Sequence, residues 1–143
     1  MHTLQQILNQ KENNEIWSVA VTATVYEAIQ VMADKRAGAL LVMDGTQLGG
    51  IISERDYARE VILKGRSSKK TLVGEIMSAN VITVSTTDSV QHALEVMTEH
   101  RIRHLPIMDD KTVAGVVSIG DLVKDVISVQ QTTIEQLENY IKS

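Results

Sequence analysis

Two stretches, Gly50-Ile51-Ile52-Ser53-Glu54-Arg55-Asp56 and Gly115-Val116-Val117-Ser118-Ile119-Gly120-Asp121, each place a hydroxyl three residues before a carboxylate at the end of an apolar run. Each reads as a strand running out through the Ser into the first turn of a helix. Free backbone N–H groups and a small hydroxyl at such a junction suit an anion, and a carboxylate accepts hydrogen bonds from a pair of ribose hydroxyls. The chemistry is that of holding a sugar and a phosphate. The same residues also make a good N-cap, and either stretch alone reads as no more than a helix start. Two copies in one register, 65 positions apart, point beyond capping.

The elements around these stretches are duplicated too. Sliding the chain by 65 positions aligns Ile16–Ile62 with Val81–Ile127 without a gap, and Val25/Val90, Ala28/Ala93, Met32/Met97, Arg36/Arg101, Leu40/Leu105 and Asp44/Asp109 coincide. Repeat 1 (about 16–64) reads as a strand over Ile16–Val21, a helix capped by Thr24 and Glu27 with the apolar stripe Val25, Ala28, Ile29 and Met32, a hairpin of Ala39–Met43 and Leu48–Ser53 around Asp44-Gly45-Thr46, and a helix ending at Lys64-Gly65. Residues 65–78 form a linker with a basic, polar run, Arg66-Ser67-Ser68-Lys69-Lys70, followed by a helical turn over Val73–Met77; the run reads as solvated, with phosphate binding as the alternative. Repeat 2 (about 79–129) repeats the order: strand Val81–Val84, helix Val90–Arg101, strands Leu105–Met108 and Val113–Ser118, helix Asp121–Val129. Pro106, the only proline, falls within a strand, which places it at an edge or beside a ligand cleft. Short terminal helices are expected at 3–10, with Leu4, Ile7 and Leu8 on one face and the polar run 11–15 after it, and at 132–142, with Ile134, Leu137, Tyr140 and Ile141 on one face. Both stripes call for a partner, in the same chain or in a second copy.

Composition narrows the function classes. The 143 residues are 43% hydrophobic, enough for one compact core shared by two small α+β units in a pseudo-twofold arrangement. There is no Cys, hence no disulfide, thiolate metal site or cysteine nucleophile, and no apolar run reads as a signal peptide or membrane span. The expectation is a cytoplasmic protein. A net charge of −4 speaks against broad nucleic-acid or membrane-surface binding, and the absence of Phe removes base-stacking platforms.

The β-α-β-β-α repeat, with Gly-x-x-Ser-x-x-Asp after its last strand and Arg101-Ile102-Arg103-His104-Leu105-Pro106-Ile107 before it, resembles the CBS domain, and two such repeats resemble a CBS pair, or Bateman module. The likeness covers about residues 16–128. It implies a regulatory, non-catalytic module that binds adenosine derivatives in two clefts and pairs as a disc-shaped homodimer, with AMP or ATP as ligand and NAD as a further candidate. By that resemblance each cleft mixes the repeats. The first combines Ser53, Arg55 and Asp56 with Val81, Ile82, Arg103 and His104; the second combines Ser118, Gly120 and Asp121 with Ile16, Trp17, Gly38 and Ala39.

The second cleft has glycines and an alanine where the first has Arg55, Arg103 and His104, so it is expected to lack charged phosphate donors. Trp17 reads either as core packing or as the wall of an adenine slot. No catalytic residue and no metal ligand is assigned. The other function classes are an NAD- or nucleotide-using enzyme, which lacks any HExxH, P-loop or GxGxxG here, and a ligand-free interaction scaffold. The downstream protein partner is not specified by the sequence.

Overall fold

A computed structural model describes residues 2–11 and 16–142; the polar residues 12–15, read above as part of a turn, lie outside the described residues. The order is α1 (Leu4–Gln10), β1 (Ser18–Ala20), α2 (Val25–Lys35), β2 (Ala39–Asp44), β3 (Gln47–Ser53), α3 (Glu54–Tyr57, continued by a π turn over Ala58–Ile62), α4 (Val73–Ile76), β4 (Val84–Ser85), α5 (Val90–His100), β5 (His104–Asp109), β6 (Thr112–Ser118) and α6 (Ile119–Lys142). This is the α+β duplication expected. Each repeat holds one three-stranded sheet, β1-β2-β3 or β4-β5-β6, with a parallel first pair and an antiparallel second.

Local chemistry sets the boundaries. Thr24 Oγ1 accepts from the Glu27 N–H (3.1 Å) while Glu27 accepts from the Thr24 N–H (3.2 Å), the expected capping box. Its counterpart α5 starts at Ser89, which accepts from the His92 N–H. Both helices end on an arginine in the left-handed region, Arg36 (φ 54°) and Arg101 (φ 55°), which turns the chain directly into β2 and β5. The stripe Val25, Ala28, Met32 and its twin Val90, Ala93, Met97 are buried, as are Leu40, Val42, Ile52 and their twins Leu105, Ile107, Val117.

The N-terminal helix forms where expected and finds its partner in the same chain, whereas the C-terminal helix differs from expectation. In α1 the apolar stripe is already used: Leu4, Ile7 and Leu8 are buried, and α1 groups with residues 83–143 rather than with repeat 1. The Leu4 N–H donates to Asp88 O, the Gln5 N–H to Thr86 O, and the Val90 N–H to His2 O. In repeat 1 the equivalent three bonds run from the Val73 N–H to Ala23 O, from the Gly74 N–H to Val21 O and from the Val25 N–H to Thr71 O. Thus α1 is to repeat 2 what α4 is to repeat 1. Residues 71–77, within the stretch expected as linker, are therefore packed on repeat 1 as α1 is on repeat 2. Burying each such side chain contributes about 1.5–3 kcal/mol. At the other end no separate helix exists over 132–142, because nothing between Asp121 and Lys142 breaks the helix and α6 continues for 24 residues.

The first strand of each repeat is shorter than predicted, leaving Ile16, Trp17, Val81 and Ile82 outside the sheets. Pro106 is not on an edge strand, since β5 is central. The twin of Pro106 is Leu41, whose N–H donates to Trp17 O (3.2 Å) and which pairs with Ser18. Proline has no N–H to give, so β4 pairs only at Ile107 and Met108 and stops short of Pro106.

The leading helices also explain the glycine of each repeated stretch. A Cβ on Gly50 would lie 2.6 Å from the Ser78 carbonyl oxygen and 2.8 Å from Met77 Sδ; one on Gly115 would lie 2.6 Å from Leu8 Cδ2. A backbone carbonyl cannot step aside as a leucine methyl can. Gly50→Ala is expected to destabilise by about 2–3 kcal/mol and Gly115→Ala by about 1 kcal/mol in urea melts; equal losses would show that the two walls are equally rigid.

Candidate functional site

The Ser and Asp of each repeat lie where a strand becomes a helix, and each pair closes a capping box. Ser53 Oγ accepts from the Asp56 N–H (3.1 Å) and Asp56 Oδ2 accepts from the Ser53 N–H (2.9 Å); for Ser118 and Asp121 the same distances are 3.1 and 2.8 Å. All four residues are half-buried. Each carboxylate is thereby fixed through one oxygen at the helix start.

Within repeat 1 the ladder sets Ala39 opposite Ser53, and the Glu54 N–H donates to Gly38 O (3.0 Å). Gly38 is exposed and Ala39 half-buried. Within repeat 2 His104 stands opposite Ser118, and the Ile119 N–H donates to Arg103 O (2.8 Å). So each repeat brings the start of its middle strand against its own Ser–Asp pair. Arg55, Arg103, His104 and Gly120 are exposed, while Val81, Ile82 and Ile16 are half-buried. Trp17 packs against the core of repeat 1, as the packing alternative anticipated, and its indole N–H is buried with no acceptor among the described residues. Lys69, from the basic run, sits over the Tyr26 ring with Nζ 4.9 Å from the centroid.

One residue that matters at Asp121 was missed in the sequence. Lys11, taken as part of a polar run, follows α1 and extends Nζ to Asp121 Oδ2 (3.1 Å) and to Val116 O (3.0 Å). A cation thus stands at the second Ser–Asp pair, where the sequence reading named no charged phosphate donor. The physical reason lies in the length of the leading helix. In repeat 1, α4 stops at Ile76 and the Ser78 N–H donates to the carbonyl of Ile51, the twin of Val116. The longer α1 is still helical at the matching position, so a lysine side chain reaches that carbonyl instead. The residue matching Lys11 on α4's side is Asn80, which carries no charge. Beside Asp121, between α1 and α6, a recess of about 360 Å³ is lined by Gln10, Lys11, Lys124, Asp125 and Ser128, and the buried Asp125 is paired with His2.

Burial pushes the Asp121 carboxyl up, but the Ser118 N–H and the Lys11 ammonium together outweigh it and hold the group below the usual carboxylate range. Among the described residues no cluster of three His, Asp or Glu side chains is arranged to hold a metal ion.

The geometry, two strand-to-helix Ser–Asp junctions in a duplicated β-α-β-β-α frame, is that of the CBS domain, and this family matches residues 12–63 and 73–128. The chain belongs to the CBS domain family. A CBS domain-containing protein of Arabidopsis thaliana, the mitochondrial CBSX3, is 45% identical over 124 residues, an overlap of 83% of this chain and 60% of that protein. The chain thus spans about three-fifths of that relative's length. A proposed signal-transduction protein with CBS domains from Burkholderia ambifaria is 50% identical, with a TM-score of 0.81 over 89% of this chain and 95% of that one. A hexameric CBS-CP12 protein from bloom-forming cyanobacteria shares the fold at 26% identity, with a TM-score of 0.71 over 85% of this chain and 66% of that one. CBS pairs are regulatory modules rather than catalysts, and no helix among the described residues is long and apolar enough to cross a membrane.

A lowered carboxyl pKa contributes stability that is present above the unfolded-state value and lost as pH falls through the folded one. Lys11→Met is expected to destabilise the protein by about 1–2 kcal/mol near pH 7. The deficit should narrow as the pH falls below the usual carboxylate range, where the Asp121 carboxylate that Lys11 pairs with is lost to protonation. Thermal melts across pH check this, and a deficit independent of pH would mean that only the bond to Val116 O matters.

Proposed function

We propose that the chain is a regulatory module that binds adenine nucleotides at its two Ser–Asp junctions and acts, as a homodimer in the cytoplasm, on itself or on a partner protein. The observation that carries this reading is the pair of carboxylates, Asp56 and Asp121, each fixed at a helix start in the same geometry in both repeats. A carboxylate anchored through one oxygen is preorganised to accept from ribose hydroxyls. Support for a nucleotide also comes from the exposed Arg55, Arg103 and His104, which suit a phosphate, and from the buried, unsatisfied indole N–H of Trp17, which an acceptor on a ligand would satisfy. Self-association is supported by the hexameric state of the cyanobacterial CBS-CP12 protein.

The first cleft joins Ser53, Arg55, Asp56, Val81, Ile82, Arg103 and His104 and favours AMP or ATP. The second joins Ile16, Trp17, Gly38, Ala39, Ser118, Gly120 and Asp121 and takes a bulkier adenosine ligand such as NAD. There Lys11 competes with the ribose for Asp121, or remains to meet a phosphate. A ligand that binds one conformation better than another then shifts the population its partner sees.

A second reading has its own observation. Both Ser–Asp pairs close as capping boxes through their own backbone N–H groups, which is all that a scaffold binding no nucleotide would require of them.

Because Asp→Ala would also remove a cap worth about 0.5–2 kcal/mol, the discriminating variants are Asp56→Asn and Asp121→Asn, which keep one acceptor for the serine N–H. Calorimetry with AMP and NAD should show each variant weakened by about tenfold or more at one cleft, on the order of 1–3 kcal/mol, with the other cleft intact. Wild-type protein that binds none of AMP, ATP and NAD would leave the scaffold reading standing.

A further inference from the structure

Helix α6 runs for 24 residues, about 36 Å, and from Ile127 to Lys142 every residue is exposed. A helical extension of that length is marginal in water without packing. Its apolar residues are not scattered. Val123, Ile127, Ile134, Leu137 and Ile141 follow one another at steps of four, seven, three and four, and the seven-residue step is bridged by Gln130 three residues after Ile127. The pattern is a heptad seam, with Ile127, Ile134 and Ile141 at its a positions and Val123, Gln130 and Leu137 at its d positions. Val123 is 45% exposed, Ile127 60%, Ile134 48%, Leu137 58% and Ile141 81%.

We propose that this seam is a two-stranded, parallel coiled coil with α6 of a second copy of the chain. The occupant follows from the pattern. A repeat of 3.5 residues, rather than 3.6, keeps one narrow stripe facing one partner helix along its whole length. Isoleucine at every a position, with Leu137 at d, favours two parallel strands. The stripe is complementary to itself: in register, isoleucine meets isoleucine, and Gln130 meets Gln130, where the two amides satisfy each other and penalise any shift of register. The charges flanking the seam, Lys124 and Glu138, both lie at e positions, so a parallel pairing sets Glu138 against Thr133 of the mate and opposes no like charges. The proposal rests on the reading that the chain pairs with its own copy, and on nothing about nucleotides.

The chain contains no cysteine, so introduced thiols report cleanly. Ile127→Cys and Ile141→Cys, each alone, should give a covalent dimer on mild oxidation, whereas Ser128→Cys on the flank should not. Adding Ile134→Asp to Ile141→Cys should abolish the link while the circular dichroism melt of the folded repeats holds, because Ile134 is exposed. Linking only in a mixture of the two isoleucine variants would mean antiparallel helices and overturn the proposal. So would equal linking by Ser128→Cys. Light scattering separates the two levels: a dimeric mass without the links removes the seam and leaves self-association standing, while a monomeric mass removes both.

Discussion

Each repeat depends on a helix it does not itself contain. The sheet and the long helix of a repeat leave an apolar edge and a set of backbone donors and acceptors that only a leading helix can cover. Repeat 1 takes α4, and repeat 2 takes α1 from the far end of the chain. The Thr3–Ser89 and Leu72–Thr24 bridges are the same contact made twice. The glycine in Gly-x-x-Ser-x-x-Asp follows from this packing: it is the point of closest approach, where Met77 and Ser78 in one repeat and Leu8 in the other leave no room for a Cβ.

The same packing sets the electrostatics of the two Ser–Asp junctions. Both carboxylates are held in place by their own caps. Among the described residues Asp121 alone of the two meets a lysine, because α1 is one turn longer than α4 and the residue after it satisfies Val116 O with a side chain instead of a backbone N–H. A difference in helix length thereby becomes a difference in charge beside two carboxylates that are capped alike.

The frame was legible in the sequence because it rests on local rules: short apolar runs in the strands, the 3.6-residue stripe of α2 repeated in α5, and cap residues at Thr24, Ser53 and Ser118. What escaped was non-local. The matching of His2–Leu8 with Thr71–Met77 runs at an offset of 69 rather than 65, so a single sliding comparison hides it. The contact of Lys11 with Asp121 joins residues 110 positions apart, and nothing in a polar run after a helix announces which one will turn back. Pro106 was legible as a residue without a donor, but not as a residue in a central strand whose neighbour simply stops short. The capping and ligand-holding interpretations of Ser53 and Asp56 use the same atoms, and the sequence pattern is common to both.

Those atoms carry the functional account: a family of regulatory modules, a duplicated carboxylate geometry and a charge difference between the copies are coherent if the caps double as ribose holders. Native mass spectrometry of the purified chain, titrated with AMP, ATP and NAD, tests this most directly. The account predicts adenine-nucleotide adducts that saturate at two per chain. Peaks of ligand-free protein alone, at nucleotide concentrations in the millimolar range, would contradict it.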